Sequence, residues 1–391
     1  MQLDGWIDVH AHFYTPESEE KRQANLKAMQ QACWCTKQPP SWDPNEILAY
    51  MDRRGVQLQL LSNITPDAKT LDDVRRVNDY AASLVRQHPT RFGMLAFLPT
   101  DDPEACLSEI VRATDKLDTD GFAVTCRYNG VYLSDRTLDP VWAELDRRRA
   151  TVFAHPSPSG PCSFGRPNTL IDVAFETAQT VTEMIYSGFF RHFPNIRFII
   201  AHCGGAFPAL SGRLLTLGLE NWVANPNQVT PVEMRQYMRR LCLDTAATMP
   251  TNLAAALSMT TLDKIVYGSD CGVPCTTETT MDANLDALFH QTGLTGEQLS
   301  FIGHNALKLF PSVARRLKDE LPKMDAALKQ GTKRVEYLSA RLGENEDAAR
   351  RIEQTCHTAF CPGVSLSIGE IAIFAKFTKS TGNSPPSSSV L

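Results

Sequence analysis

Short apolar segments alternate with longer amphipathic segments along most of the chain. Strands that alternate with helices are joined by crossover connections and form a parallel sheet, and strands that are apolar on both faces suit a sheet covered by helices. Eight such strand–helix units predict an α/β fold of the (β/α)8 TIM-barrel type. The eight apolar runs are residues 6–13, 58–62, 92–98, 121–127, 151–155, 197–202, 241–244 and 265–270.

The helix after the first strand has clear boundary signals. Asp43 is placed as an N-cap, Pro44 in the first turn and Glu46 as a capping-box partner, while Gly55 predicts the helix end. A doubly wound open sheet is the rival architecture, but its dinucleotide-binding form requires a glycine-rich turn after the first strand. The sequence there is His-Ala-His-Phe at 10–13, which favours the barrel.

Composition excludes several classes of partner. The net charge of −5 comes from mixed acidic and basic residues without a basic block, so we expect neither nucleic acid nor an anionic membrane as partner. No apolar run has transmembrane length, and the N-terminal residues do not resemble a signal peptide. The eleven cysteines are an odd number without CxxC spacing, which predicts mostly reduced thiols in a cytoplasmic protein.

Histidines concentrate where the predicted strands end. His10 and His12 are two residues apart on one strand, so their side chains point to the same face. His155 and His202 end two further strands, and Asp270 ends the last. A single such histidine is usually a solvated or hydrogen-bonded residue, but four of the nine histidines lie at these ends. Because barrel enzymes carry their chemistry at the carboxyl ends of the strands, the pattern favours a metal site.

The chain resembles the amidohydrolase superfamily, in the metal-dependent decarboxylase branch that includes aminocarboxymuconate-semialdehyde decarboxylase and the hydroxybenzoate decarboxylases. Within this branch, the fungal 6-methylsalicylate decarboxylases are the most similar. The match runs in order from about residue 4 to 320. The motifs that carry it are DVHAH (8–12), SWDP (41–44), MDRRGV (51–56), HPTRFG (88–93), HP (155–156), FPNIRF (193–198), HCGGAFP (202–208), GSD (268–270) and NALKLF (305–310).

The resemblance implies a single divalent metal bound by His10, His12, His155 and Asp270, with His202 as a catalytic residue. Three nitrogens and one carboxylate suit zinc, with manganese or magnesium as alternatives. The superfamily's two-metal members carry a carbamylated lysine after the fourth strand, and the residues 125–127 include no lysine. Asp270 could instead cap a helix, a common role for aspartate after a strand.

The resemblance also implies non-oxidative decarboxylation of a hydroxybenzoate-type acid, specifically 6-methylsalicylate to 3-methylphenol and carbon dioxide. We also expect a homodimer. Asp270 and His202 are both candidates for delivering the proton. Relatives acting on aminocarboxymuconate semialdehyde have an arginine before the Trp-Asp-Pro segment, whereas residues 32–40 contain none. Arg127 could contact an anion instead, or form a salt bridge. The alternatives are decarboxylation of the muconate semialdehyde, hydrolysis of a lactone or ester at the same site, and a non-catalytic binding protein with the same barrel.

The chain extends beyond the point where family members usually end. We predict a barrel domain over 1–320, a mostly helical extension over 321–377 and a disordered tail over 378–391, whose Ser-Pro-rich composition is typical of disorder.

Overall fold

A computed structural model describes residues 3–34, 36–63, 70–157, 165–246 and 249–319. The chain divides into two compact units, Met1–Leu317 and Lys318–Leu391. The first unit contains the predicted barrel. The predicted extension (321–377) and tail (378–391) lie outside the described residues.

Seven parallel strands form one continuous sheet in the order β1-β2-β3-β4-β7-β8-β9. A separate two-stranded antiparallel hairpin, β5–β6, follows β4. The sheet confirms the predicted parallel α/β architecture. The strands are β1 Trp6–His12, β2 Val56–Ser62, β3 Phe92–Phe97, β4 Gly121–Thr125, β5 Arg127–Tyr128, β6 Val131–Tyr132, β7 Thr151–His155, β8 Arg197–Ile200 and β9 Cys242–Leu243.

Helices follow the strands of the sheet and pack against it. The predicted boundaries of α2 are confirmed: Asp43 accepts a hydrogen bond from the Asn45 N–H, Pro44 is the first residue, and Gly55 ends the helix with φ +74°. The helices are α1 Glu19–Gln31, α2 Pro44–Arg54, α3 Leu71–Gln87, α4 Pro103–Leu117, α5 Asp139–Arg147, α6 Asp172–Tyr186, α7 Phe189–His192, α8 Phe207–Leu217, α9 Pro231–Arg240, α10 Met249–Met259, α11 Glu278–His290, α12 Gly296–His304 and α13 Ala306–Leu309.

The eighth predicted strand, 265–270, is not a regular strand. Ile265 makes an isolated parallel bridge to Leu243 of β9, and Cys271 makes one to Ala11 of β1. The Val9 N–H also donates to the carbonyl of Tyr267. The segment therefore closes the barrel between β9 and β1, but its backbone turns away from strand geometry at Asp270, where φ is +61°.

Two other predicted strands, the fourth and the sixth, end two residues earlier than expected. The fourth stops at Thr125, and Arg127 belongs to the β5–β6 hairpin. The sixth stops at Ile200, and His202 begins a tight 3-10 turn. In this turn His202 and Cys203 both have left-handed backbone conformations, with φ of +53° and +55°. Strand alternation, which would turn Cys203 away from His202, therefore does not apply there.

Most thiols in the described residues are reduced, as predicted. Six cysteines in the described residues are free, and five of them are buried. Cys33, however, is disulfide-bonded. In the described part of the chain, none of the helices combines the length and apolar character needed to cross a membrane.

A buried ion pair lies at the end of the barrel opposite the carboxyl ends of the strands. Asp120 precedes β4 and accepts two parallel hydrogen bonds from Arg316 at 3.0 Å, one from Ser312 at 2.6 Å and one from the Met94 N–H. The Asp120 side chain is fully buried and that of Arg316 is 18% exposed. Removing one partner of such a pair leaves an uncompensated charge in the interior.

We therefore expect Arg316→Ala to lower the free energy of unfolding by about 3 kcal/mol, the lower end of the range for buried pairs. Urea denaturation measures this change, and Arg315→Ala, at an exposed neighbouring position, is the matched control. Equal stability of the two variants would contradict the assignment.

Candidate metal centre and active site

Four residues from four separate chain segments meet at the carboxyl ends of the strands. His10, His155, His202 and Asp270 each offer one potential ligand atom, and these atoms all lie within 4.8 Å of one another. This is the one such group found in the described residues. His12 lies beside it: its Nε2 is 2.9 Å from His10 Nε2 and 3.4 Å from Asp270 Oδ1. The structure thus brings all five predicted site residues together.

Three of the histidines have their outer nitrogen engaged by the protein. His10 Nδ1 donates to Asp244 Oδ2 at 2.7 Å, and His155 Nδ1 donates to the carbonyl of Pro156 at 2.6 Å. His12 Nδ1 lies 3.3 Å from the carbonyl of Ser62, which can only accept, and 3.1 Å from the Ser62 hydroxyl, which can accept as well. A proton on Nδ1 leaves the lone pair on Nε2. The lone pairs of all three Nε2 atoms are therefore available to accept a hydrogen bond or to bind a metal.

The Nε2 atoms of His10 and His12 lie close to Asp270 Oδ1. His10 Nε2 lies 3.1 Å from this oxygen. His155 Nε2 and Asp270 Oδ1 are buried and form no hydrogen bond within the described residues. Buried polar atoms are normally paired, and two imidazole lone pairs at 2.9 Å repel unless a positive charge lies between them. The donor set therefore fits a cation at this point.

The pKa shifts of His10 and Asp270 also show that the cluster stabilises positive charge. Burial opposes protonation of His10, but Asp244 and Asp270 outweigh it and raise its pKa to about 10. Burial would raise the pKa of Asp270, but the charge of His10 and the imidazole nitrogens close to its two oxygens hold it well below its usual value. His155 is different, since burial and the neighbouring imidazoles hold its pKa well below the usual value.

The two oxygens of Asp270 face different groups. Oδ1 faces His10 and His12, whereas Oδ2 accepts a hydrogen bond from the Thr276 hydroxyl at 2.8 Å. His202 approaches from this second side, with its Nε2 3.7 Å from Oδ2, and its side chain is 16% exposed. Asp270 therefore joins the histidine cluster to the more open side of the site.

A buried aspartate near the start of β1 fixes the segment that carries Asp270. Asp8 accepts hydrogen bonds from the Ser269 hydroxyl (2.6 Å), the Ser269 N–H (3.0 Å), the Gln59 amide (3.0 Å) and the His10 N–H (3.1 Å). Burial raises the pKa of Asp8 to about 6, although these hydrogen bonds oppose the shift. These contacts hold β1 and the closing segment in register, and the left-handed Asp270 follows directly.

Arg127 forms an ion pair rather than standing alone at the end of β4. Its Nε lies 3.8 Å from Glu176 Oε1, and its guanidinium lies over the Tyr132 ring, 5.6 Å from the centroid. Glu176 also accepts a hydrogen bond from the Ser157 N–H at 2.6 Å. Of the two roles predicted for Arg127, the salt bridge is the one observed.

Sequence reasoning missed several residues that orient the cluster. Asp244, Ser62, Thr276 and the carbonyl of Pro156 contact the site residues as described above. Asp244 is 234 residues from His10 along the chain, so no local spacing links the two. Its position at the end of the seventh predicted strand is the one signal that could have identified it, because active-site residues of barrels occupy such ends.

The chain is similar to known proteins in sequence and in fold. The sequence model of the amidohydrolase family matches residues 7–312. The decarboxylase macB of Penicillium terrestre is 30% identical over 288 residues, which cover 68% of this chain and 83% of that protein. The 6-methylsalicylic acid decarboxylase acuB of Aspergillus aculeatus is 30% identical over 340 residues, covering 81% and 99%. A crystal structure of an amidohydrolase II superimposes with a TM-score of 0.67 at 25% identity, covering 78% and 99%.

The resemblance predicted from the motifs is confirmed by the family match and by the relatives. The superposition confirms the barrel fold. The relatives are named as decarboxylases, which bears out the expected enzyme class, a carboxy-lyase. The chain belongs to the amidohydrolase family and groups with its decarboxylases.

Proposed function

We propose that the protein is a metal-dependent decarboxylase of hydroxybenzoate-type acids that binds one divalent ion through His10, His12, His155 and Asp270. The observation that carries the proposal is that His10 Nε2 and His12 Nε2 lie 3.1 and 3.4 Å from Asp270 Oδ1, while His155 offers a ligand atom within 4.8 Å of those of His10 and Asp270. Each of the three histidines has its Nδ1 engaged elsewhere. His202 is assigned outside the ligand set, because its Nε2 faces Asp270 Oδ2 rather than Oδ1. Zinc suits this N3O set, and manganese is the main alternative.

A divalent metal held by the three histidines and Asp270 would supply Lewis acidity toward the anionic substrate and would favour ionisation of its ortho hydroxyl. The protein then has to protonate the ring carbon that bears the carboxylate. The bond between the ring carbon and the carboxylate then breaks. Carbon dioxide leaves, and the electron pair of the broken bond stays with the ring and restores its aromaticity. A general acid within reach of that carbon is therefore required.

Asp270 Oδ2 is the proposed donor atom. The low pKa of Asp270 means that this carboxylate is ionised at rest, so the proton must first arrive from a neighbour. His202 Nε2, at 3.7 Å from Oδ2, is placed to supply it. Thr276 fixes Oδ2 by donating a hydrogen bond to it at 2.8 Å. In the alternative assignment, His202 protonates the substrate directly.

The proposed substrate is 6-methylsalicylate, converted to 3-methylphenol. Support comes from acuB and from a second 6-methylsalicylic acid decarboxylase, of Penicillium expansum, which is 28% identical over 84% of its length. The absence of arginine from residues 32–40 and the engagement of Arg127 by Glu176 argue against recognition of a second carboxylate. The expected homodimer and the cytoplasmic location stay proposals.

A panel of acids tests this assignment. We expect the metal-loaded enzyme to convert 6-methylsalicylate and to leave 2-methylbenzoate unchanged, because the missing hydroxyl removes both chelation and ring activation. Mass spectrometry distinguishes the alternatives: decarboxylation makes the product lighter by carbon dioxide, and lactone hydrolysis adds water. Preferred turnover of aminocarboxymuconate semialdehyde would contradict the substrate proposal, and lactone hydrolysis alone would contradict the reaction class.

A further inference from the structure

One fully buried carboxylate contacts both halves of the site. Asp244 follows β9, and its side chain has no solvent exposure. Its Oδ2 accepts the hydrogen bond from His10 Nδ1 at 2.7 Å. Its Oδ1 accepts from the Cys203 N–H at 3.1 Å and from the Ala246 N–H at 3.0 Å. Its two oxygens therefore serve different partners, a histidine of the cluster and the turn that carries His202.

We propose that Asp244 is a positioning residue that couples the metal site to the catalytic turn: Oδ2 sets the orientation and tautomer of His10, and Oδ1 holds the left-handed turn that presents His202. The proposal rests on the proposed function. It assigns to Asp244 neither a contact with substrate nor a bond to the metal.

The contact with His10 bears on metal affinity. A carboxylate that accepts from Nδ1 keeps the proton there and directs the Nε2 lone pair at the ion, and loss of such a partner typically costs 10–100-fold in metal affinity. The fit around this contact is close. A Cβ added at Gly268 would lie 2.8 Å from His10 Cβ and 3.0 Å from Asp244 Cβ, so a residue with a side chain at position 268 would displace this pair.

The contact with the turn bears on His202. His202 and Cys203 adopt left-handed conformations that non-glycine residues seldom occupy, and such conformations persist where surrounding contacts enforce them. The Cys203 N–H, directly after His202, is bound by Asp244 Oδ1. On the other side of the turn, the Asn252 amide donates to the carbonyls of His202 and Gly205.

Substitution by asparagine separates the two roles. Asp244→Asn keeps an oxygen that can accept from Cys203 and Ala246, but it places an NH2 group, a donor, against His10 Nδ1. His10 must then shift its proton to Nε2 or lose the contact. Asp244→Ala removes both contacts. We expect Asp244→Asn to bind metal about 10–100-fold more weakly and to recover turnover at saturating metal, whereas Asp244→Ala does not recover it.

The experiment measures the Zn²⁺ and Mn²⁺ dissociation constants by competition with a chromophoric chelator, together with the visible absorption spectrum of the Co²⁺-loaded proteins. Asp120→Asn is the matched control, since Asp120 is also a buried aspartate but lies at the opposite end of the barrel. We expect it to change thermal stability without changing metal affinity.

Wild-type affinity and an unchanged Co²⁺ spectrum in Asp244→Asn would overturn the role toward His10. Equal turnover of the Asn and Ala variants at saturating metal would overturn the role toward the turn. If Asp244→Ala does not fold, the asparagine variant alone tests the role toward the His202 turn, because its side-chain oxygen should still hold that turn. Failure of Asp244→Asn to recover turnover at saturating metal would then overturn this role. Failure of the wild-type protein to bind metal would instead refute the proposed metal centre itself.

Discussion

Replacing His12 with alanine is expected to remove the metal ion and, with it, all measurable decarboxylation. His12 Nε2 faces His10 Nε2 at 2.9 Å and Asp270 Oδ1 at 3.4 Å, and it supplies one of the four proposed ligand atoms. Loss of a ligand should weaken metal binding by more than the roughly 10–100-fold that follows the loss of an orienting partner. Metal analysis after gel filtration measures the content, and chelation of the wild-type enzyme should abolish activity in the same way.

The matched control is His304→Ala, because His304 lies on α12 and its Nδ1 contacts only Ser300 among the described residues. This variant should keep full metal content and activity. Full occupancy in His12→Ala would contradict the ligand assignment, and retained turnover in a chelated enzyme would contradict metal dependence.

A second pair of variants separates metal binding from proton transfer. His202→Ala is expected to keep the metal and to lose turnover by about 10²–10⁴-fold, the usual contribution of a general acid or base. Asp270→Asn is expected to lose turnover to a similar extent even when it is fully reconstituted with metal, because an amide cannot deliver the carboxylic proton. The measurements are metal content and single-turnover rates of the same preparations.

Two outcomes would refute these roles. Loss of metal from His202→Ala, to the extent seen in His12→Ala, would make His202 a ligand. Full activity in metal-loaded Asp270→Asn would exclude Asp270 as the proton donor and leave His202, which approaches its Oδ2, as the direct acid.

The regular part of the fold and most of the site were predictable because their signals are local. The alternation of His10 and His12 on β1 follows from strand periodicity, and the N-cap and terminal glycine of α2 are set by adjacent residues. That His10 and His12 at the end of β1 meet His155 at the end of β7 then follows from barrel geometry.

The remaining features depend on contacts between distant segments. The His202 turn takes a left-handed backbone that the apolar run before it does not signal, and it is held from outside by Asp244 and Asn252. The segment 265–270 reads as a strand by composition, but the hydrogen bonds of Ser269 to Asp8 of β1 fix a different backbone there. Propensity cannot anticipate such tertiary contacts.

The most direct test is incubation of the metal-loaded enzyme with 6-methylsalicylate in deuterated water, followed by NMR and mass analysis of the product. Protonation of the ring carbon before loss of carbon dioxide predicts 3-methylphenol carrying one deuterium at the position vacated by the carboxylate, and no product from the metal-free enzyme. Recovery of unchanged acid from the metal-loaded enzyme, or formation of 3-methylphenol without ring deuterium, would contradict the account.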